Sequence, residues 1–272
     1  MKGSGVIRLA VDFAIRLYRL RGMIYLLAKR DLVSRYVGTL GGPIWAVAQP
    51  LATVFVFWFV FAVGFKARGP SNTPFVLYFL AGYLPWLLFT EALNASASSV
   101  IANSHLVKKT VFPTEILPLV QVASSTVTHL ILLVILMALL AAMGGHLSWT
   151  APQILYYYLC LVSFELGLAW LLASLHVFSR DVGQILVVAL NLWFWVTPIV
   201  WSPGVLPESV RPLLTLNPMF YVVEGYRNSL LYQIPIWRDP AATLRFWAIV
   251  LPCLLSGALV FRRLKPEFAD VL

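Results

Sequence analysis

The chain has 272 residues, 60% of them in the set AVILMFWYC and only 11% charged, against roughly 25% charged in an ordinary soluble domain. That balance excludes a soluble globular enzyme. The net charge of +9, from 20 Lys and Arg against 11 Asp and Glu, fits either nucleic acid binding or the cytoplasmic loops of a membrane protein, and the positions of the charges decide between them.

In chain order, the first feature is a basic amphipathic segment. Apolar residues recur at Val6, Leu9, Ala10, Phe13, Leu17, Leu20, Ile24 and Leu27, with Arg8, Asp12, Arg16 and Arg19 on the opposite face. Spacings of three and four predict a helix. A basic face beside an apolar stripe suits a helix lying in the headgroup region; a plain topology anchor is the alternative. The segment lacks the cleavage pattern of a signal peptide. Gly38, Gly41, Gly42 and Pro43 then break the helix.

Uncharged runs at 36–65, 69–90, 116–164 and 182–207 each exceed the ~20 residues a helix needs to cross a hydrocarbon core. Six spans are predicted, at about 43–65, 74–93, 116–143, 152–178, 183–201 and 243–261. Cys160 and Cys253 sit inside apolar stretches, as small core residues do. Fourteen of the 20 Lys and Arg fall in the N-terminal segment, the second and fourth connections and the tail. Positive charge is retained in the cytoplasm, so both termini are expected there. The long connection 202–242 holds Pro203, Pro207, Pro212, Pro218, Pro235 and Pro240, with apolar pieces at 205–216 and 219–232 between them. These are too short to cross, and two short helices dipping into the outer leaflet fit them, provided protein or water shields their ends. Amphipathic pieces lying flat are the alternative.

Catalytic signatures are missing. No GxxxxGK[ST] loop cradles phosphates, no GxGxxG follows a strand, and His105, His129, His146 and His176 form no HExxH. Of the residues inside the apolar runs, Glu165 most needs an explanation, since a carboxylate there faces protein or a water path. It reads equally as an acceptor between helices or as part of a hydrophilic conduit. Glu91 has no identifiable partner, and Gln49 and Asn191 are isolated polar residues in spans. Trp45, Trp149, Tyr156, Tyr157, Tyr158, Trp201 and Trp237 stand where interfacial belts are expected. Phe55, Phe57, Trp58, Phe59, Trp193, Phe194 and Trp195 lie deeper and either face lipid or line a path for a sugar chain, whose CH faces pack on rings. Trp45, Phe59, Glu165, Asn191 and Trp195 are the candidates for such a path.

Five segments carry a resemblance: AKRDLVSRYVGTLGGPIWAVAQPL at 28–51, NSHLVKKTVFPTEILPL at 103–119, SRDVGQIL at 179–186, TPIVWSPGVLPESVRPLLTLNPMFYVVEGYRNSLL at 197–231 and FRRLKPEFADVL at 261–272. In order and spacing they resemble the type-2 ABC export permeases, in the branch that exports lipid-linked polysaccharides such as O antigen, capsule and teichoic acid. Family members often carry more basic residues after the pair matching Arg30 and Asp31.

The resemblance implies an all-α, six-span subunit in the cytoplasmic (inner) membrane that pairs with a second copy of itself. It would dock two copies of a separate ATPase, which binds ATP and Mg; no cofactor is expected in this chain, and no nucleic acid partner. A single transmembrane domain over 1–272 would divide into an interface helix (1–37), six spans (43–261), a coupling helix (103–115), periplasmic gate helices (203–232) and a cytoplasmic tail (262–272). His105, Lys108, Lys109, Phe112 and Pro113 would couple to the ATPase, the lysines meeting an acidic rim and Phe112 a hydrophobic notch. Arg16, Arg19, Lys29, Arg30, Asp31 and Arg35 would form the interface helix and draw lipid headgroups and a diphosphate-linked glycan. Glu224 and Arg227, at i and i+3 on a gate helix, read either as a gate pair or as a structural ion pair. A permease for a drug or small lipid, and a membrane-embedded glycan-modifying enzyme, are the rival functions.

Overall fold

The computed structural model describes residues 18–35, 37–109, 112–146 and 148–272, and of Pro43 and Lys109 the backbone alone. Among the described residues regular structure is entirely helical. The apolar residues Val6, Leu9, Ala10, Phe13 and Leu17, and the polar Arg8, Asp12 and Arg16, lie outside the described residues.

Helix α1 (Arg21–Ser34) packs on α5 (Ile116–Ala142). Ala28 is buried, and Ile24, Leu27, Asp31 and Leu32 are half-buried on that face. The stripe read from the sequence therefore meets protein, at least over its described part. The outer face mixes exposed Tyr18, Tyr25, Leu26 and Val33 with exposed Arg19, Lys29 and Arg30. The break after α1 is where the glycines place it: Gly38 and Gly42 have φ of 84° and 49°, a region that a residue with a Cβ adopts only under strain.

Helix α2 (Trp45–Phe57) runs on as a π-helical stretch, Trp58–Gly64. Helix α3 (Phe75–Ala102) is the centre of the bundle and packs against α5, α6 (Gln153–Phe178) and α9 (Pro218–Arg227). Small residues on α3, among them Ala81, Ala92, Ser96, Ala97 and Ser99, are buried at these contacts, and small side chains are what let membrane helices approach closely. A short helix α4 (Ser104–Lys109) joins α3 to the segment before α5.

Helix α7 (Asp181–Val196) follows α6 after a two-residue turn. After it come a one-turn helix α8 (Arg211–Leu214), then α9, whose last turn widens into a π-helical stretch at Asn228–Tyr232. Helix α10 (Pro240–Leu264) and a terminal turn α11 (Phe268–Val271) close the fold. At the crossing of α6 and α10 the backbones touch: a Cβ on Gly257 would collide with the carbonyl oxygen of Gly167, and one on Gly167 would lie 2.8 Å from the backbone of Leu254.

Among the described residues, five helices are long and apolar enough to cross a membrane: Trp45–Gly64, Phe75–Ala102, Ile116–Ala142, Gln153–Phe178 and Pro240–Val271. The fifth predicted span, at 183–201, is a shorter helix. At 1.5 Å per residue the 16 residues of α7 reach about 24 Å, less than the ~30 Å of a hydrocarbon core. It stops because Pro198 disfavours helical geometry in the residue before it, and Thr197 is extended, at φ −83° and ψ 128°. The piece read as a helix at 205–216 is likewise reduced to α8 and a 3-10 turn at Pro203–Val205, since its prolines leave no uninterrupted run of backbone donors.

Candidate functional site

Four constellations stand out, the first at the start of α5. The backbone before α5 turns sharply, and Lys265 Nζ donates to Glu115 Oε2 at 2.6 Å, while Trp170 Nε1 donates to the Glu115 carbonyl at 3.0 Å. Behind α4, a buried cluster joins Val100, Leu117, Trp170, Ala173, Val177, Phe261 and Phe268, with Val107 and Phe112 packed against it. The ring of Phe268 lies 5.4 Å from Phe261 and 6.2 Å from Phe178. His105 and Lys108 are exposed on the outer side of α4. Phe112 is half-buried and packs against this cluster. Pro113 is also half-buried.

A second constellation closes the end of α1. Arg35 donates from Nε to Asp31 Oδ2 at 2.9 Å, from Nη1 to Glu91 Oε1 at 2.5 Å and from Nη2 to Gln121 Oε1 at 2.9 Å. Gln121 Nε2 returns a bond to Asp31 Oδ1 at 3.1 Å. One guanidinium thus ties α1 to α3 and α5, with its planar fork of donors matched to three acceptors. Glu91 and Gln121 are partners of Arg35 that sequence reading misses. The available signal was the charge of Glu91 within a span, which calls for a partner. On the outer side of α1, Lys29 and Arg30 border a shallow open groove with Leu26, Val33 and Val37.

The third lies where α9 meets the turn after α7. Arg227 is fully buried. Its guanidinium donates from Nη1 to the Pro198 carbonyl and to Glu224 Oε1, both at 2.7 Å, and from Nη2 to the Ile199 carbonyl at 2.7 Å. Nε donates to the Tyr78 carbonyl at 3.3 Å, and the guanidinium carbon lies 3.6 Å from the centre of the Tyr78 ring. Gly82 leaves the room for this, since a Cβ there would stand 2.7 Å from Nη2. At the other end of α9, Asn217 Oδ1 accepts from the Met219 backbone N–H and from Trp193 Nε1, each at 3.0 Å, and Asn217 Nδ2 donates to Thr197 Oγ1 at 2.9 Å. An Asn cap followed by proline at the first helical position was readable at 217–218. The pair Glu224 and Arg227 is therefore a junction holding α9, α3 and the 197–201 turn together.

The fourth is a surface. Phe55, Val56, Phe59, Val60 and Val63 of α2 and Ile185, Val188, Leu192, Trp195 and Val196 of α7 are exposed apolar residues. The two helices meet where Phe57 and Phe194 sit 6.0 Å apart. Trp45, Phe59, Asn191 and Trp195 are all exposed on α2 and α7. Trp193 and Phe194 instead turn into the bundle, against Trp86, Phe89 and Phe164. Glu165 is not brought to this surface. It is fully buried, with neither carboxylate oxygen hydrogen-bonded among the described residues, and the Ser124, Ser125 and Thr128 hydroxyls are in the same condition. Among the described residues, no three His, Cys, Asp or Glu group as metal ligands would.

Helices of this length and apolarity define a multi-pass membrane protein. A family model described as "ABC-2 type transporter" matches residues 23–231, and the chain belongs to that family. Members are transport components whose ATP hydrolysis resides in a separate subunit, so this chain is a transport subunit and not an enzyme. It is 28% identical to the O-antigen export system permease protein RfbA of Klebsiella pneumoniae over 92% of this chain and 95% of that protein. It is 28% identical to the RfbA of Myxococcus xanthus, over 93% and 96%. Its identity to the polysialic acid transport protein KpsM of Escherichia coli is 20%, over 86% and 90%.

Proposed function

We propose that this chain is the permease subunit of an ATP-driven exporter that moves a lipid-linked, O-antigen-like polysaccharide across the cytoplasmic membrane. The observation that carries this is the similarity to two O-antigen export permeases over more than nine-tenths of both chains. In this reading α7 and the apolar turn after it count as the fifth of six spans, both termini are cytoplasmic, and α8 and α9 are gate helices dipping into the outer leaflet.

The subunit pairs with a second copy and with two ATPase subunits, which bind ATP and Mg. The uncovered apolar face of α2 and α7 supports the pairing, because a contiguous apolar surface bearing a lone amide, Asn191, is better matched to protein and an aqueous path than to lipid on all sides. Trp45, Phe59 and Trp195 then lie along the path, and their rings offer sugar CH groups an apolar platform.

Closure of the ATPase pair pushes on α4 through the exposed His105 and Lys108. Lys109 is assigned to the same contact. The push is passed on because Val107, Phe112 and the tail are packed as one cluster with α3, α5 and α6, and packed cores shift between discrete arrangements rather than yielding continuously. The described half of the N-terminal segment moves with them, since Arg35 fastens α1 to α3 and α5. Arg19, Lys29 and Arg30 are exposed and attract a diphosphate-linked substrate by charge, and Arg16 is assigned to the same role.

The test is deletion of the gene together with in-trans complementation. Surface polysaccharide is expected to vanish and accumulate inside the cell, then return with the wild-type chain. Normal surface polysaccharide after deletion rejects the reading.

A further inference from the structure

A cleft of about 450 Å³ opens between α9, the segment after it and the first turns of α10. It is separate from the α2 and α7 face: its walls carry Tyr221, Glu224, Asn228, Arg238, Asp239 and Arg245. We infer that this cleft is a saccharide-binding site, which takes a mono- or disaccharide stretch of the exported glycan at the exit side of the permease. The ligand class rests on the export reading above.

The volume lies within the range of small-molecule sites. Tyr221 gives it a rigid aromatic wall: its ring stacks on Phe246 at 4.8 Å and tilts against Tyr157 at 5.4 Å, and its hydroxyl is bonded to Thr243 Oγ1 at 2.8 Å. Such a ring offers a flat apolar surface to sugar CH groups without losing rotamer freedom on binding.

Around it the polar groups alternate in kind. Arg238 and Arg245 only donate hydrogen bonds, Glu224 and Asp239 only accept them, and Asn228 does both, which suits hydroxyls that donate and accept at once. Glu224 is already neutralised by the buried Arg227, which leaves Arg238, Arg245 and Asp239 as the charged groups free to meet a ligand. Arg238 and Arg245 are exposed, and Asn228 is half-buried, so these groups are accessible to a ligand. The walls come from the start of α10, the connection 234–239 and Tyr157 near the start of α6. In the proposed topology these all lie at the external ends of their helices.

The test uses the full-length permease assembled with its ATPase in nanodiscs. The probe is the repeat-unit oligosaccharide released by mild acid from the cells' own surface polysaccharide. Titration and saturation-transfer NMR are expected to show saturable binding, with Kd weakened at least tenfold by Asn228→Ala combined with Arg238→Ala. Asp239→Asn keeps the α10 cap and is expected to weaken it about threefold. If the double variant fails to assemble, Arg245→Ala replaces it with the same tenfold expectation.

Absent saturable binding, or equal affinity in the variants, overturns the inference. So does a phosphatidylglycerol headgroup that occupies the cleft and resists the oligosaccharide. The export reading is judged separately by the deletion strain: lost export without binding rejects the cleft alone, and retained export rejects the reading itself.

Discussion

Arg227 and Glu224 form an ion pair of 2.7 Å in which the arginine has no exposed side-chain surface and the glutamate is one-quarter exposed. The asymmetry identifies Arg227 as the structural partner. Its remaining donors go to three main-chain carbonyls on α3 and on the turn after α7. Removing the guanidinium leaves those carbonyls and Glu224 without their donor. Arg227→Met is expected to destabilise the protein by about 3–5 kcal/mol, the usual result of breaking a buried pair from one side. Arg227→Lys recovers little, since one ammonium cannot reproduce the planar fork. Thermal unfolding of the detergent-solubilised protein measures both, and unchanged midpoints contradict the junction.

Gly82→Ala probes the same junction from α3. The added methyl meets Nη2 at 2.7 Å, so a loss of about 1–3 kcal/mol is expected, as for overpacking elsewhere. The loss is expected to shrink in an Arg227→Met background, where the guanidinium is gone. An undiminished effect there shows that Arg227 is not the neighbour that matters.

At the other end of the bundle, Arg35→Ala and Glu91→Gln share one interaction. A double-mutant cycle is expected to give a coupling of about 0.5–3 kcal/mol. The groups are about one-quarter exposed, so the lower part of that range is favoured. Additive effects within error refute the contact.

Substitutions around α4 separate docking from folding. His105→Ala with Lys108→Glu changes exposed side chains, and the midpoint of unfolding is expected to hold while ATPase stimulation and export fall. Phe112→Ala removes packing against the cluster behind α4 and is expected to cost about 1–3 kcal/mol, with lower yield of the permease itself. If Phe112→Ala leaves stability untouched and only uncouples the ATPase, its ring belongs to the partner rather than to this cluster.

The α2 and α7 surface is checked by crosslinking. In a background lacking Cys160 and Cys253, Phe59→Cys is expected to give a disulfide-linked pair of permeases in membranes, while Leu136→Cys, buried within one copy, gives none. Monomer alone from Phe59→Cys argues against that face as the meeting surface.

How much of this was legible in the sequence depended on distance along the chain. Long apolar runs fixed the principal helices, because length and hydropathy are local properties. The glycine break at 38–42 and the capped start of α9 were local too. The shortening of α7 was also within reach, since Pro198 restrains Thr197. The partners of Arg35 were not: Glu91 and Gln121 lie 56 and 86 residues away, and although the charge of Glu91 in a span calls for a partner, nothing in the sequence says that it is Arg35. The cluster that Phe112 joins was not legible either, as it includes Phe261 and Phe268, far along the chain. The neighbours Trp193, Phe194 and Trp195 have the same hydropathy signature, yet two point inward and one outward, because each step along a helix turns the side chain by about 100°.

That step gives the π-helical stretch Trp58–Gly64 a consequence of its own. A π turn holds about one more residue than an α turn. Letting this stretch relax to α geometry would spin everything on one side of it by about 100° relative to the other. Phe59 and its exposed neighbours could then exchange places around the axis of α2 while Phe57, stacked on Phe79 at 4.7 Å, stays where it is. One span would act as a rotary joint within an otherwise fixed bundle.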